Sequence, residues 1–491
     1  MADKKPQTQG VNRREFFNTS GKVTAALGAA AIAGPAINAL GANDKIRIGV
    51  IGPGKRGKYL MKMATDAVTR NELNVDVNMQ FVAVADIYEG WAEEGAEKGE
   101  LYNENALDNE GEVKIYDHHK KLLEDKNVDA VIIATPEHQH AFQLIDALAA
   151  GKDVYCEKPM VQNIGQGKKV LDAFKGSDRV VQVGTQRRSV PLFKKANQIV
   201  KSGDIGQVTY CEGWWHRNQS DGKPGPWAYP IPEDASPDVI NWPEFLYESK
   251  KTAFDKQRYF QWRSFWDYSN GIGSDLMVHQ IDAICMVMGV GVPKSIVSSG
   301  GLYRWKDGRM TPDTWGCLME FEEGFHINYN ARFSNICRPN ERYVIQAEID
   351  RIEDKDKKKQ LETALKVLRR GKVIKDKIQD YGIKICGSKG LIEVFCHHDM
   401  NVWPEPKYIW GKGSKLKFQN YKYCNTQAEA TDQAVRDHMQ NWLESIVTRK
   451  TPNCTVRDGF DGACISNMGT MSFMSGKKVM FDPKKLEAKT V

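Results

Sequence analysis

Three residues of this chain have the types and spacing to move a proton while holding charge. Asp275 and His279 stand four apart in Ser274-Asp275-Leu276-Met277-Val278-His279, so on a helix they share one face. Imidazole has an unperturbed pKa of about 6.5 and exchanges a proton near neutral pH. A lone histidine beside the apolar Ile281, Ile284, Cys285 and Met288 would ordinarily be a packed core residue. Asp275 next to it, and Lys158 within Glu157-Lys158-Pro159, shift the reading toward chemistry. Lysine can place a fixed positive charge beside a developing alkoxide. Oxidising a hydroxyl carbon needs a base for the proton and a place for the hydride, and the N-terminal half supplies the second.

Lys45–Ile51 is a β-branched run that reads as a buried strand, and Gly52-Pro53-Gly54-Lys55-Arg56-Gly57 follows it at once. Its glycines fill the three places of GxGxxG. Gly52 permits the tight turn, Gly54 lets the backbone approach a pyrophosphate, and Gly57 lets the following helix, Lys58 to about Val68, lie against the strand. The amide-rich start of that helix, with Lys55 and Arg56, faces the anion. The motif alone is a weak signal, and the strand before it and helix after it strengthen it. A second strand, Phe81–Ala85, ends at Asp86, whose carboxylate can accept from ribose hydroxyls and repel a 2′-phosphate. NAD is therefore expected over NADP. Asp86 lies 29 residues after Gly57, beyond the usual spacing of about 20, and a loop insertion over Thr69–Asn78 accounts for the excess.

The elements that must position these groups alternate strand and helix. Tyr116–His119 leads into a helix over Lys120–Asp125, and Val128–Ala134 is a third strong strand. Thr135–His140 opens a helix to Ala150, and Asp153–Cys156 is a short strand closed by Glu157-Lys158-Pro159. This alternation predicts a doubly wound parallel sheet, which binds ligands beyond the carboxyl ends of its strands. Gly52–Gly57, Asp86, Thr135, Pro136, His140 and Glu157–Pro159 all occupy such ends.

On these motifs the chain resembles the Gfo/Idh/MocA oxidoreductases. Val183-Gly184-Thr185-Gln186-Arg187-Arg188, Gly387-Ser388-Lys389-Gly390 and the run from His438 through Asn441-Trp442 to Arg449-Lys450-Thr451-Pro452 resemble its exported bacterial branch. The resemblance implies a Rossmann domain, placed here at 43–160, and a C-terminal α/β domain at 161–491 with an open, largely antiparallel sheet. It implies that Lys158, Asp275 and His279 are the catalytic trio. His279 is then the general base in oxidation and acid in reduction, Asp275 orients the hydroxyl network, and Lys158 sits near the alkoxide and nicotinamide. Cofactor contacts fall to Gly52, Gly54, Lys55, Arg56, Gly57, Asp86, Thr135, Pro136, His140, Glu157, Lys158 and Gln186. An exported branch that cleaves α-N-acetylgalactosaminides through transient NAD redox steps typically lacks the lysine of Glu-Lys-Pro, and Lys158 is present here.

Six of the twelve tryptophans lie between 214 and 266. Their faces suit sugar C–H surfaces, although any single one of them can serve as loop packing. Arg187, His216, Arg217, Arg263 and Tyr268 are the substrate candidates, and each could equally be an ordinary surface, ion-pair or core residue. Residues 351–380, charged around Leu361, Leu365 and Leu368, read as an exposed amphipathic helical insertion. Cys396-His397-His398 lacks partner cysteines at zinc spacing, so no metal is expected.

Residues 1–42 read as an export address: Asn12-Arg13-Arg14-Glu15-Phe16-Phe17, an apolar run Val23–Ala33, then small residues. Eleven apolar residues are too few for a bilayer, which needs about 20, so no membrane span is expected after processing. The arginine pair resembles a twin-arginine signal, which implies folding around a cofactor in a reducing cytosol, the export machinery as partner, and the periplasm as destination. That segment holds +3 of the net charge of +6. The remainder shows no concentrated basic footprint, so no nucleic-acid partner is expected. Hydrophobic residues at 41% and charged residues at 27% are ordinary for a folded globular chain. Ten cysteines with no CxxC pair exclude a disulfide scaffold and make a zinc ribbon unlikely. The reading is an exported NAD-dependent oxidoreductase of a sugar or glycoside, expected as a homo-oligomer, with the cofactor tightly bound and recycled in place. The alternatives are a glycosidase or lyase passing through a keto-sugar on a recycled NAD, and a non-catalytic sugar-binding protein that kept the fold.

Overall fold

The computed structural model describes residues 45–70, 73–219, 222–335, 356, 359, 380–405 and 416–491. The export address at 1–42 lies outside them, as does the charged insertion at 351–380 apart from residues 356, 359 and 380.

Six strands form the first sheet: β1 (Lys45–Ile51), β2 (Asn78–Ala85), β3 (Lys114–Tyr116), β4 (Ala130–Ile133), β5 (Asp153–Cys156) and β6 (Val181–Val183). Every pair is parallel and the order is β3-β2-β1-β4-β5-β6. This is the doubly wound order whose topological switch lies between β1 and β4, where ligands bind beyond the strand ends. The near-continuous apolar runs of β1 and β4 fit strands covered on both faces. Helices α1 (Lys55–Thr69), α2 (Glu89–Ala106), α3 (His119–Glu124) and α4 (Glu137–Ala149) supply the cover. Helix α1 starts three residues earlier than the expected Lys58, inside the glycine motif. Strand β6 lies past residue 160, where the sequence placed the end of this domain, because Val181–Val183 returns after a helix over Ile164–Phe174 to pair with β5.

Among the described residues the second sheet has ten strands, in the order β14-β13-β12-β11-β7-β10-β9-β8-β15-β16. Its centre is β7 (Val208–His216), parallel to β10 (His326–Arg332) and antiparallel to β11 (Tyr381–Gly387). The remaining strands, from β8 (Ser295–Gly301) and β9 (Thr314–Glu320) through β12 (Gly390–Phe395), β13 (Asp399–Pro404) and β14 (Gln419–Lys422) to β15 (Val479–Asp482) and β16 (Glu487–Thr490), pair antiparallel. The architecture is α/β throughout, a parallel Rossmann-type sheet beside a mixed, mostly antiparallel one.

Residues 42–491 form one compact unit because the chain's last third returns to the first sheet. A long helix over Gln427–Thr448 packs on α1, with Tyr59 donating to Asp432 at 2.6 Å. Arg449 just beyond it pairs with Asp153 of β5 at 2.8 Å. Between β7 and β8, residues 234–268 cross to the edge of the first sheet. Asn241 N–H donates to Ile87 C=O at 2.9 Å and Tyr88 hydroxyl to Asp234 at 2.8 Å. A second core joins Tyr88 to Trp242, Phe245, Tyr259 and Phe260. Among the described residues no helix is long and apolar enough to cross a membrane.

Candidate active site

A cavity of about 640 Å³ opens at the carboxyl ends of β1, β2, β4 and β5, walled on its far side by the second domain. The glycine motif makes its floor. Gly52 has φ +81°, and a Cβ there would stand 2.8 Å from the Thr135 amide nitrogen. A Cβ on Gly57 would stand 2.4 Å from the Gly52 carbonyl oxygen, so Gly57 serves helix packing and lies behind the cavity wall. Gly54 is the N-cap of α1 and no side chain caps that end, which leaves its first amides for an anion.

At the end of β2, Asp86 Oδ1 accepts from the Tyr88 amide at 3.0 Å and faces the Tyr259 hydroxyl at 3.5 Å. Burial pushes its carboxyl up to about 7, against the pull of the Tyr88 and Ile87 amides. Arg56 is not a free cation: its Nη2 meets Glu157 Oε1 at 2.6 Å, and Glu157 Oε2 accepts from the Lys158 amide at 3.1 Å. Thr135 donates to Gln143 at 2.6 Å. His140 ties two strand ends together, its ring nitrogens at 2.8 Å from the Thr135 carbonyl and 2.7 Å from that of Pro159. A neutral imidazole donates to one of these only, and burial holds this ring's pKa down. Gln186 lines the cavity with a buried Oε1 that has no hydrogen-bond partner among the described residues, an acceptor suited to a carboxamide. An uncapped helix start, backbone cradles without room for Cβ, a ribose-facing carboxyl and an orphaned amide oxygen together fit a nicotinamide dinucleotide.

The expected catalytic trio converges at the other end of this cavity. Lys158 Nζ donates to the carbonyl oxygen of Asp275 at 2.8 Å and to its Oδ1 at 3.0 Å. Arg263 Nε donates to the same Oδ1 at 3.0 Å, and Trp227 Nε1 to Oδ2 at 2.8 Å. Burial would raise this carboxyl, but Lys158, Arg263 and Arg217 outweigh it and hold it well below the usual range. Asp275 is thus a permanent anion that sets cations in place, rather than a group free to order a substrate hydroxyl. The expected regular helix is also modified: Gly273–Met277 is a π turn that runs into α-helix Val278–Met288. Gly273 lets the Trp315 ring pack against this turn, because a Cβ there would stand 2.6 Å from it. Asp275 and His279 still reach one cavity.

His279 is buried at 7% exposure, its ring centroid 5.6 Å from that of Trp215. Burial, then the charges of Lys158 and Arg187, hold the imidazole well below its ordinary pKa, so the ring is neutral at pH 7. Its Nδ1 is buried without a hydrogen-bond partner among the described residues, which leaves Nε2 as the nitrogen that can meet a substrate.

The substrate candidates divide. Arg217 and Arg263 line the cavity; Arg187, His216 and Tyr268 do not. Along β7 side chains alternate faces, so Trp215 and the following Arg217 face the site while Trp214 and His216 are buried on the other side. Arg187 lies behind the wall, stacked on Trp215 at 5.3 Å and Tyr381 at 5.1 Å. With its amide oxygen turned toward Arg187, Gln280 accepts from both Nη atoms at 3.1 Å. Tyr268 is fully buried against Phe245 and His138. Of the tryptophans between 214 and 266, Trp215 and Trp262 reach the cavity.

Sequence reasoning passed over several wall residues. Trp91, Tyr259 and Phe260 close the cavity above Asp86, Trp91 stacked on Tyr259 with centroids 5.9 Å apart. Their aromatic type was visible, but their meeting across two domains was not. His118, His119 and Glu244 bring potential metal-ligand atoms within 4.8 Å of one another. The hydrogen bonds argue for a polar pair there instead. His118 Nδ1 accepts from the Lys120 amide, so its Nε2 carries the proton and donates to Glu244 at 3.0 Å. At the expected non-site, Cys396, His397 and His398 are buried.

Fold and site define a two-domain α/β protein whose cavity fits a nicotinamide dinucleotide. The family model described as "Oxidoreductase family, NAD-binding Rossmann fold" matches residues 46–185, and "Oxidoreductase family, C-terminal alpha/beta domain" matches 245–481. The chain belongs to the Gfo/Idh/MocA family. It is 29% identical over 196 residues to an inositol 2-dehydrogenase of Salmonella paratyphi B, covering 40% of this chain and 50% of the relative. It is 31% identical over 170 residues to a scyllo-inositol 2-dehydrogenase (NAD(+)) of Bacillus subtilis, covering 35% and 44%. The chain thus spans about half the length of these curated relatives. Among solved structures, a levoglucosan dehydrogenase in complex with NADH and levoglucosan superposes with a TM-score of 0.60 at 16% identity, over 89% of this chain and 99% of that one. A myo-inositol 2-dehydrogenase from Lactobacillus plantarum gives 0.55 at 18%, over 89% and 100%. At these identities the structures establish the shared fold.

Proposed function

We propose that the protein moves a hydride between a carbinol or keto carbon of a sugar or polyol and NAD. The observation that carries this reading is that Lys158, Asp275 and His279 share one cavity with Gly52–Arg56, Asp86 and Gln186. The inositol and levoglucosan dehydrogenases it resembles support the substrate class. When bound, the cofactor supplies the hydride acceptor or donor.

This chain's own residues do the rest. Neutral His279 takes the hydroxyl proton in oxidation and returns it in reduction, a role that contributes about 10²–10⁴-fold. Lys158, with two of its three N–H groups turned to Asp275, offers the third to the oxygen on which charge develops. Asp275 holds that ammonium and the Arg263 guanidinium in fixed positions at no reorganisation cost during reaction. Trp215 and Trp262 line the cavity beneath their guanidinium partners and, with the aromatic wall around Trp91 and Tyr259, help to exclude water.

The same reading extends to export. Asn12–Phe17 supports twin-arginine transport and residence in the periplasm. The crossing of residues 234–268 over the Asp86 edge supports a cofactor loaded in the cytosol and kept through export. The test is the small molecule released by denaturing protein purified from the periplasm without added nucleotide. Close to one nicotinamide dinucleotide per chain, reduced or oxidised by an added sugar, supports the proposal. Empty protein that exchanges NAD freely and changes no sugar overturns it.

A further inference from the structure

The walls of the reacting end are more cationic than hydride transfer to a neutral sugar requires. Lys158, Arg217 and Arg263 line the cavity there, and Arg187 lies directly behind Trp215. Burial raises the carboxyl of Asp380, which lies near Arg217, and Asp275 is the carboxylate held firmly charged among them. Glu137, below it, accepts from the Asn270 amide at 2.7 Å, and burial pushes its carboxyl up to about 7. Glu157 is committed to Arg56. A pyrophosphate has the uncapped amides at the start of α1 and Lys55 for its own charge.

Two of the guanidinium groups also have unused donors. Arg263 spends Nε on Asp275 and sets its guanidinium carbon 4.1 Å from the Trp262 ring centroid, and among the described residues its Nη groups have no hydrogen-bond partner. Arg217 is stacked 5.3 Å from the Trp215 ring and has no salt bridge among the described residues. Each guanidinium lies over an aromatic ring and keeps donors of its planar fork, the group that receives a carboxylate through two parallel hydrogen bonds.

Resting on the proposed hydride-transfer reading, we propose that the sugar this site takes carries a carboxylate, as in a uronic or aldonic acid, and that Arg217 and Arg263 receive that group. Binding such an anion offsets the excess positive charge around His279 and makes the ring a better proton acceptor. A neutral sugar leaves both forks facing water or a stray anion.

The test reads binding rather than turnover, on holoenzyme loaded with NADH so that oxidation cannot proceed. Calorimetry at low salt compares glucuronate and galacturonate with glucose and galactose, and with glucose 6-phosphate. The uronates are expected to bind at least about tenfold tighter than the parent hexoses, as a charge-assisted pair implies, and to lose that advantage as salt is added. Arg217→Gln is expected to lower uronate affinity about tenfold or more while changing hexose affinity far less, and Arg217→Lys to recover part of the loss. Retained NADH in each variant reports an intact fold, and the salt dependence of the wild type stands without any variant. Hexoses that bind as tightly as uronates, a preference for the sugar phosphate, or an Arg217→Gln change equal for both sugars each overturn the inference. The proposed reaction survives those results if a neutral sugar still exchanges a hydride. Selective uronate binding without hydride exchange from any sugar would instead remove the reaction.

Discussion

The Asp86 carboxyl makes cofactor affinity a function of pH. In the free cavity burial holds it at about 7, whereas a ribose hydroxyl donates best to the ionised form. With a pKa near 7, about 9% is ionised at pH 6 and about 91% at pH 8. If the ionised form is the one that binds, NAD affinity rises about tenfold between those values, full above the shifted pKa and lost as pH falls through it. Asp86→Asn keeps an acceptor oxygen but removes the titration, so its affinity should be flat across the same window. The charge also sets discrimination. A unit charge about 5 Å from another costs roughly 3 kcal/mol at an effective dielectric near 20, so at pH 8 the asparagine variant should gain on the order of 100-fold for NADP relative to NAD. The assay is calorimetric titration of cofactor-stripped protein with each nucleotide. A wild-type affinity flat from pH 6 to 8, or the same slope in the asparagine variant, would refute the reasoning.

Other substitutions separate the roles at the reacting end. His279→Ala should lower kcat by about 10²–10⁴-fold with NAD still bound, measured by turnover and by cofactor content. In the wild type the acid limb of kcat/KM should fall below the ordinary imidazole value of about 6.5, because burial and the cations keep the ring neutral. Asp275→Asn releases Lys158 and Arg263 from their shared anchor. It should lower kcat at least about 100-fold, and removing one partner of a buried ion pair should cost about 3–5 kcal/mol of stability, read by denaturant unfolding. Gly273→Ala sets a Cβ 2.6 Å from the Trp315 ring and should cost about 1–3 kcal/mol by overpacking, with cofactor affinity changed little.

Much of the cofactor end was legible because it is local. Strand, glycine turn, helix and acidic strand end follow one another within Lys45–Asp86, and backbone geometry dictates each residue type. Lys158, Asp275 and His279 were readable as types and spacing, but their convergence is a tertiary fact. The π turn over Gly273–Met277 has no sequence periodicity of its own, and the packing of Trp315 on Gly273 joins segments far apart in sequence. Period-two alternation in β7 could have separated Trp215 and Arg217 from His216 had the strand been recognised. Tyr268 and Arg187 carry polar atoms that suggest function, and only burial shows them behind the wall. The aromatic closure over Asp86 needed the pairing of Tyr88 with Ile240, which no local pattern announces.

Deuterium transfer tests the central claim most directly. Protein with its bound NAD is mixed with a sugar or polyol that turns over, deuterated at the carbon to be oxidised, and the cofactor is recovered and analysed by mass spectrometry. The account predicts deuterium on the recovered nicotinamide from the wild type and almost none from His279→Ala holding the same amount of cofactor. A converted sugar with an unlabelled cofactor, or no label from any sugar or polyol tried, would contradict hydride transfer at this site.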